Sequence, residues 1–252
     1  MRRTLYAALA AFQFLTRIPV PGPAWSQDVL GRATVFFPIV GVVVGGSAGG
    51  LDWVCRHYSL PDAVRAIAVL TSLVLITGAL HEDGLADVAD GFGGGYTREK
   101  ILAIMADSRI GSFGAIALVL SLLARYALLA ALPAPRAWST LIAAHVLCRW
   151  SSLPLAAYLP PARGTEGQGA KFSRYIPAYA VPAGTVLAAA IVAGLMGLKA
   201  LVPLLAATVV TVASGLYYRR RIGGVTGDCM GATNQLTEIA VYVCAVACPW
   251  SA

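Results

Sequence analysis

Residues Tyr175 to Tyr218 read YIPAYAVPAGTVLAAAIVAGLMGLKALVPLLAATVVTVASGLYY, and the one charged residue among them is Lys199. A helix needs about 20 consecutive apolar residues to cross the ~30 Å hydrocarbon core of a bilayer. The segments on either side of Lys199 each reach about that length. This stretch therefore predicts two membrane-spanning helices joined by a tight turn at Lys199.

Similar apolar segments recur along the chain. Of the 252 residues, 58% are hydrophobic and 12% are charged, whereas a soluble domain has about 25% charged residues. The candidate spans are residues 33–51, 66–80, 110–132, 137–159, 175–198, 200–218 and 239–252. The sequence therefore predicts an all-α, polytopic transmembrane helix bundle of about six to seven spans, in which the short final segment either spans or is re-entrant.

The Lys and Arg residues indicate how these spans are oriented. If the amino terminus lies in the cytosol, the loops 81–109, 160–174 and 219–238 all lie on the cytosolic side. Those loops contain Arg98, Lys100, Arg109, Arg163, Lys171, Arg174, Arg219, Arg220 and Arg221. This asymmetry follows the positive-inside rule, although Arg56 and Arg65 in the connection 52–65 run against it.

Charge and cysteine usage exclude other classes of protein. The net charge is +7, but the basic residues are dispersed between apolar segments, so we expect no nucleic-acid partner. The five cysteines show no CxxC spacing, which argues against a zinc site or a disulfide framework. We expect one integral membrane catalytic domain over 1–252, with an interfacial helix at 1–20 and cytosolic active-site loops at 81–109 and 219–238.

The densest group of acidic residues lies in the segment HEDGLADVADG, from His81 to Gly91. On a helix, Asp83, Asp87 and Asp90 project from one face, at positions i, i+4 and i+7. Each charge costs about 2.5 to 3.5 kcal/mol at the bilayer centre, so three repelling carboxylates need a compensating cation. Because Mg²⁺ prefers carboxylate oxygens and completes its shell with substrate phosphates, the segment favours a magnesium site over a solvated acidic loop.

Two features next to the acidic segment favour phosphate binding. Gly93 and Gly94 belong to a glycine-rich turn, predicted before a helix that starts at Arg98, and backbone amides there can approach a phosphate. Arg109 lies at a predicted membrane boundary. Its guanidinium either clamps diphosphate oxygens or extends to the membrane surface.

A second polar segment, Gly223 to Glu238, separates the last two predicted spans. Asp228 is placed to cap a helix, and Asn234 and Glu238 lie one turn apart on one face. Capping accounts for Asp228 but not for a Glu that enters an apolar helix. We therefore expect this segment to close over the acidic segment and complete one site.

Five motifs occur in order along the chain. They are FLTRIPVP (14–21), FPIVG (37–41), EDGLADVADG (82–91), DSRIG (107–111) and GDCMGA (227–232). None is specific alone, but together they make most of the chain resemble the cobalamin synthase family, adenosylcobinamide-GDP ribazoletransferase.

The resemblance implies a reaction and a place. Adenosylcobinamide-GDP and α-ribazole, or α-ribazole 5′-phosphate, are joined to give adenosylcobalamin, or its 5′-phosphate, with release of GMP. The reaction needs Mg²⁺ and occurs at the bacterial inner membrane, so the partners are these two small molecules and the lipid bilayer. Self-association into a homo-oligomer is left open.

The resemblance also suggests a role for individual residues. Asp83, Asp87 and Asp90 would hold Mg²⁺, with Glu82 as an additional ligand or an orienting group. Asp228 or Glu238 would accept the proton of the ribazole hydroxyl. The expected substrate-binding residues are Arg17, Gly93, Gly94, Arg109 and Asn234.

Two other functions fit part of the pattern. CDP-alcohol phosphotransferases use a related acidic motif in the membrane, but Asp87 stands where their motif has Arg. A cation transporter could line its path with Asp83, Asp87 and Asp90, yet transporters place such groups in mid-span, at helices broken in two matched halves. The acids lie beside charged loop residues here, which favours the enzyme.

Overall fold

The chain forms helices joined by short turns in a computed structural model, which describes residues 2–22, 27–163 and 175–248. The helices are α1 (Arg2–Leu15), α2 (Gln27–Ala33), α3 (Phe37–His57), α4 (Asp62–Thr77), α5 (Leu80–Gly94), α6 (Arg98–Ile104), α7 (Ser112–Ala130), α8 (Ala134–Tyr158), α9 (Ala180–Met196), α10 (Leu201–Ile222) and α11 (Gly227–Ala247). Short 3-10 turns at Thr34–Phe36 and Gly197–Ala200 connect α2 to α3 and α9 to α10. Within the described ranges no β-strand occurs, so the predicted all-α class is confirmed.

Several segments are long and apolar enough to cross a membrane. They are Val29–His57, Ser112–Ala130 and Ala180–Ile222. The last has 43 residues, and one straight helix of that length would extend about 65 Å, twice the hydrocarbon thickness. The 3-10 turn around Lys199 divides it into α9 and α10, as predicted.

All seven predicted spans fall on helices, namely α3, α4 and α7 to α11. The predicted polytopic helix bundle is therefore confirmed. Residues 164–174 of the predicted loop 160–174, and 249–252 of the last predicted span, lie outside the described residues.

Helix α8 lies at the centre of the bundle, in contact with α3, α9, α10 and α11. From Leu141 to Leu147 it is buried on every side, as expected of a helix surrounded by other helices. Arg125 of α7 and Arg149 of α8 are each 1% exposed. These two arginines therefore face the bundle interior, as intramembrane charges are expected to do.

A sharp break separates α4 from α5. Gly78 (φ 65°) and Ala79 (φ 58°) both have left-handed backbone conformations, and the two helices meet at an angle of 88°. The Arg17 backbone N–H donates a hydrogen bond to the Ile76 carbonyl, at 2.7 Å, and so holds the segment after α1 against this break. Helix α5 therefore does not continue in the direction of α4, and the pair forms either a broken span or a re-entrant loop.

The two segments predicted as active-site loops are largely helical. Residues 81–109 contain α5 and α6, and residues 219–238 contain the end of α10 and the start of α11. Helix α5 continues to Gly94 and the turn begins only at Gly95, so the prediction that Gly93 and Gly94 lie in a turn is wrong. Packing of α5 against α7 and α11 overrides the low helix propensity of glycine. The predicted helix start at Arg98 is confirmed.

Helix α1 falls within the helix predicted at 1–20. It buries Ala7, Ala10 and Ala11 but exposes Leu5 and Tyr6. A helix lying in the membrane surface exposes apolar side chains in this way. Its position at the membrane interface stays a prediction.

Candidate active site

The two polar segments of the sequence meet where α5 crosses the start of α11. A Cβ atom on Gly84 would lie 2.8 Å from the Asp228 carbonyl oxygen and 3.0 Å from its Cα. Only glycine permits two helices to approach this closely, because any side chain would overlap the opposite backbone. The predicted contact between the acidic segment and the 223–238 segment is therefore confirmed.

On one side of this crossing, Asp83, Asp87 and Asp228 form what we call the acidic cluster. Asp83 is exposed, whereas Asp87 and Asp228 are half-buried. Burial, and then the charges of Asp228 and Asp83, raise the pKa of Asp87 to about 6. The pKa of Asp228 is raised too, first by burial, with Asp83 adding to the effect. The charges of these carboxylates thus disfavour one another, and a bound cation would relieve that repulsion.

Arg163 is the basic residue at the acidic cluster. Its Nη2 lies 3.1 Å from Asp228 Oδ2, and its charge partly offsets the rise in the pKa of Asp87. Two backbone hydrogen bonds fix the preceding residues against the turn before α11: Ala162 N–H donates to the Val225 carbonyl, and Val225 N–H donates to the Pro160 carbonyl, both at 2.9 Å. In the sequence Arg163 is recognisable only as a loop cation, because nothing there pairs it with Asp228.

Asp90 anchors α5 to α7. Its carboxylate accepts hydrogen bonds from the backbone N–H groups of Gly111, at 2.7 Å, and Gly114, at 2.8 Å. These amides belong to the start of α7, where a negative charge is stabilised by the helix dipole. Both oxygens of Asp90 are therefore engaged, which favours an anchoring role over the predicted role as a metal ligand.

Behind the crossing, Arg125 joins α7 to α5 and α11. Its guanidinium donates to Glu82 Oε1 at 2.7 Å, to Glu238 Oε1 at 3.0 Å and to Gln235 Oε1 at 3.0 Å. Glu82 and Glu238 thus point into the bundle and not toward the acidic cluster. The structure therefore separates these two residues from Asp83, Asp87 and Asp228, with which the sequence grouped them.

A small cavity, the inner chamber, adjoins this ion network. Its lining residues are Leu73, Thr77, His81, Glu82, Arg125, His145, Arg149, Asn234, Gln235 and Glu238. It has room for about one water molecule. The Arg149 Nε and Nη2 atoms, Asn234 Nδ2 and Glu82 Oε2 have no hydrogen-bond partner among the described residues. Asn234 and Glu238 share one face of α11, as predicted, but that face lines the inner chamber and not the acidic cluster.

Two groups of side chains have atoms that could bind a metal ion, one at the inner chamber and the other in the acidic cluster. Atoms of His145, Cys148 and Glu238 lie within 4.8 Å of one another, but Arg149 Nη1 contacts His145 Nδ1 at 3.0 Å and Cys148 Sγ at 3.4 Å. Since Arg125 also pairs with Glu238, two fixed cations oppose a metal ion there.

The acidic cluster fits Mg²⁺ better. Its three carboxylates are spread more widely than the ligand atoms of His145, Cys148 and Glu238, which lie within 4.8 Å of one another. Magnesium usually takes only one or two protein carboxylates and fills its remaining positions with water and substrate phosphates. An open carboxylate pair such as exposed Asp83 and half-buried Asp87 meets that requirement.

The remaining predicted substrate-binding residues are Arg109, Gly93, Gly94 and Arg17, and each has a different local environment. Arg109 is exposed and pairs with Asp107 at 2.6 Å, and its hydrogen bonds lower the pKa of Asp107 to about 2. Gly93 and Gly94 lie in the last turn of α5, where backbone amides bond to the preceding turn. Arg17 is exposed beside the α4–α5 break.

The predicted helix cap is a different residue. Thr226 caps α11, because its side-chain oxygen accepts a hydrogen bond from the Cys229 N–H at 3.2 Å. Asp228 is therefore free of the capping role and lies in the first turn of the helix. Its carboxylate is left to act in the acidic cluster.

Comparison with known proteins identifies the family. The family model of cobalamin-5-phosphate synthase matches residues 7–246. The chain belongs to this family. Among its relatives are the adenosylcobinamide-GDP ribazoletransferases of Ralstonia nicotianae, 40% identical over 95% of this chain and 93% of the relative, and of Azorhizobium caulinodans, 42% identical over 92% and 91%. No solved structure was found to match the chain.

Membership of the cobalamin-5-phosphate synthase family makes this chain a transferase of phosphorus-containing groups in cobalamin biosynthesis. The match extends over nearly all of the described helices, so the whole bundle belongs to the family. The resemblance seen in the five motifs is thereby confirmed. The CDP-alcohol phosphotransferase and cation-transporter alternatives are set aside.

Proposed function

We propose that this chain joins adenosylcobinamide-GDP to α-ribazole, or α-ribazole 5′-phosphate, forming adenosylcobalamin or its 5′-phosphate and releasing GMP. Its relatives carry the name of that transfer. The observation that carries the proposal is the acidic cluster, where α5 and α11 bring three carboxylates together beside Arg163. Cleavage of a diphosphate needs mainly positioning and charge neutralisation, which such a site provides.

Asp83 and Asp87 would hold Mg²⁺. When bound there, Mg²⁺ neutralises charge on the diphosphate as the bond to GMP breaks. Asp90 and Arg125 hold α5 at two points along its length, Asp90 through the start of α7 and Arg125 through Glu82. This anchoring presents the two aspartates at a fixed position before substrate binds, which lowers the cost of orienting them.

Asp228 is the residue that we assign to accept the proton of the ribazole hydroxyl. The hydroxyl oxygen attacks the phosphorus on the cobinamide side, and GMP leaves with the electron pair of the broken P–O bond. Glu238 is less suited, because it is 2% exposed and paired with Arg125. Burial raises the pKa of Asp228, which makes its carboxylate a stronger base.

The site is assigned to the cytosolic face of the bacterial inner membrane. The contact of α5 with the start of α11 brings the two polar segments together, and the basic residues concentrate in the loops predicted to face the cytosol. Since such residues stay in the cytosol, both substrates would enter from there.

Activity of the purified protein tests the proposal. In detergent or liposomes, the protein should release GMP from adenosylcobinamide-GDP only when both α-ribazole and Mg²⁺ are present. An Asp83→Asn, Asp87→Asn double variant, purified in the same way, is the control for contaminating activity. GMP release that is equal in the presence of Mg²⁺ and of excess EDTA would refute the metal-dependent step.

A further inference from the structure

Arg163 has a position that the reaction as described does not use. Its guanidinium pairs with Asp228 at 3.1 Å, while its side chain remains 34% exposed and that of Asp228 24% exposed. Among the ion pairs of the described residues, this is the one that involves the acidic cluster. The pair is thus accessible from outside, unlike the buried pairs of Arg125.

The backbone behind Arg163 is fixed, although its side chain is exposed. The Arg98 guanidinium donates to the Ala162 carbonyl at 3.0 Å and to the Ile222 carbonyl at 2.9 Å. Together with the two hydrogen bonds between residues 160–162 and Val225, this contact joins three segments of the chain. Arg163 therefore extends from a rigid base, and its guanidinium can change partner by side-chain rotation alone.

The charges at the site favour such a change of partner. Without ligands, Arg163 is the cation that balances Asp228 and moderates the charge around Asp87. A metal ion beside Asp87 would be repelled by Arg163, whereas the phosphates of the substrate would attract it. A planar guanidinium matches two phosphate oxygens better than it matches a single carboxylate oxygen.

We propose that Arg163 is a substrate-binding residue that exchanges Asp228 for the phosphates of the nucleotide diphosphate substrate. The inference rests on the proposed function of the acidic cluster. In the substrate-free enzyme Arg163 neutralises Asp228 and weakens metal binding. When the diphosphate binds, Arg163 contacts its oxygens and leaves the Asp228 carboxylate to the attacking hydroxyl.

This exchange predicts that one substitution weakens substrate binding but strengthens metal binding. Arg163→Gln should raise the KM for adenosylcobinamide-GDP about 10- to 100-fold, the loss expected for a hydrogen bond to a charged group. The same substitution should tighten Mn²⁺ binding to the substrate-free enzyme about two- to fivefold, because an exposed competing ion pair is removed. Arg163→Lys keeps the charge but not the planar group, so it should leave Mn²⁺ affinity near the wild-type value and still raise the KM.

The experiment measures Mn²⁺ affinity by electron paramagnetic resonance without substrates, and KM by GMP release, on detergent-purified protein. Arg220→Gln is the matched control, because it removes one exposed arginine, on α10, that is not assigned to the site. If Arg163→Gln changes Mn²⁺ affinity and KM no more than Arg220→Gln does, the exchange is refuted. If the wild-type protein binds no Mn²⁺, the proposed metal site fails, and the inference fails with it. Tighter Mn²⁺ binding together with a raised KM supports the exchange.

Discussion

At the residue scale, the acids of α5 and α11 divide into those that are open to a substrate and those that hold helices together. Asp83, Asp87 and Asp228 repel one another and lie at least partly open. Asp90, only one turn beyond Asp87, is buried and bonded to two amides of α7. Asp87 and Asp90, neighbouring acids of one sequence motif, thus have different roles. Substitutions should distinguish a catalytic role from a structural one.

We expect Asp83→Asn and Asp87→Asn each to reduce turnover by about 100-fold or more, since each removes a carboxylate that would hold Mg²⁺ on the diphosphate. Thermal stability of these variants should be equal to or above that of the wild type, because repulsion within the cluster is relieved. Steady-state GMP release and thermal unfolding measure the two effects. Asp107→Asn, which removes an exposed acid outside the cluster, is the control. Loss of activity accompanied by loss of stability would contradict a role confined to chemistry.

The raised pKa of Asp87 predicts how stability depends on pH. A carboxyl group with a folded-state pKa of about 6, above its value in the unfolded chain, takes up its proton on folding as the pH falls. The contribution of Asp87 to the stability of the metal-free protein should therefore rise as the pH falls from about 7 to about 5. Buried His81, with a pKa lowered to about 3, acts on total stability in the opposite sense over this range, so the quantity to compare is the difference between the wild type and Asp87→Asn. Thermal unfolding of both proteins in EDTA measures that difference. A difference that does not change between about pH 7 and pH 5 would refute the assignment.

At the element scale, α5 is held by α7 at two separate points. Asp90 accepts a hydrogen bond from the start of α7, and Glu82 accepts one from Arg125, near the end of α7. Arg125 also holds Glu238 of α11. One arginine thus links three helices and fixes the angle at which α5 presents the acidic cluster.

We expect Arg125→Met to lower the free energy of unfolding by about 3 to 5 kcal/mol, because it leaves two buried carboxylates without a cation. Combining it with Glu82→Gln and Glu238→Gln should restore much of that loss, since no unpaired charge is then buried. Unfolding in mixed micelles measures the difference, with Arg109→Met as the matched control. If the triple variant is no more stable than Arg125→Met, the loss reflects packing and not the buried charges.

At the scale of the whole molecule, the bundle brings the two polar segments into contact. Reporter fusions at Gly94, at the end of α5, and at Gly224, before α11, should therefore give the same cytosolic signal. A fusion at Lys199, in the turn between α9 and α10, should report the opposite side, because each neighbouring helix is long enough to span the bilayer once. Signals from opposite sides at Gly94 and Gly224 would exclude a single site.

The sequence by itself determined the class of the fold, most of its helices and the segments that carry the chemistry. Apolar length and helical spacing are local properties, so the helices at all seven predicted spans and the helix start at Arg98 could be predicted directly. The number of these helices that cross the membrane stays a prediction, since three or four of the described segments are long and apolar enough to do so. The family resemblance was equally accessible, because its motifs are short and contiguous. The prediction of a turn at Gly93 and Gly94 is wrong, because packing of α5 against α7 keeps these glycines helical.

Only the tertiary structure decided which polar residues share a site. Neighbours on α5 such as Glu82 and Asp83 point in different directions, so Glu82 meets Arg125 and Asp83 lies near Asp228. Arg163 reaches Asp228 only through the contact of its loop with Val225. These partners are distant in sequence, and their meeting depends on the rotation and crossing of whole helices. Residue spacing carries no information about either, because both are set by how the apolar surfaces of several helices pack together.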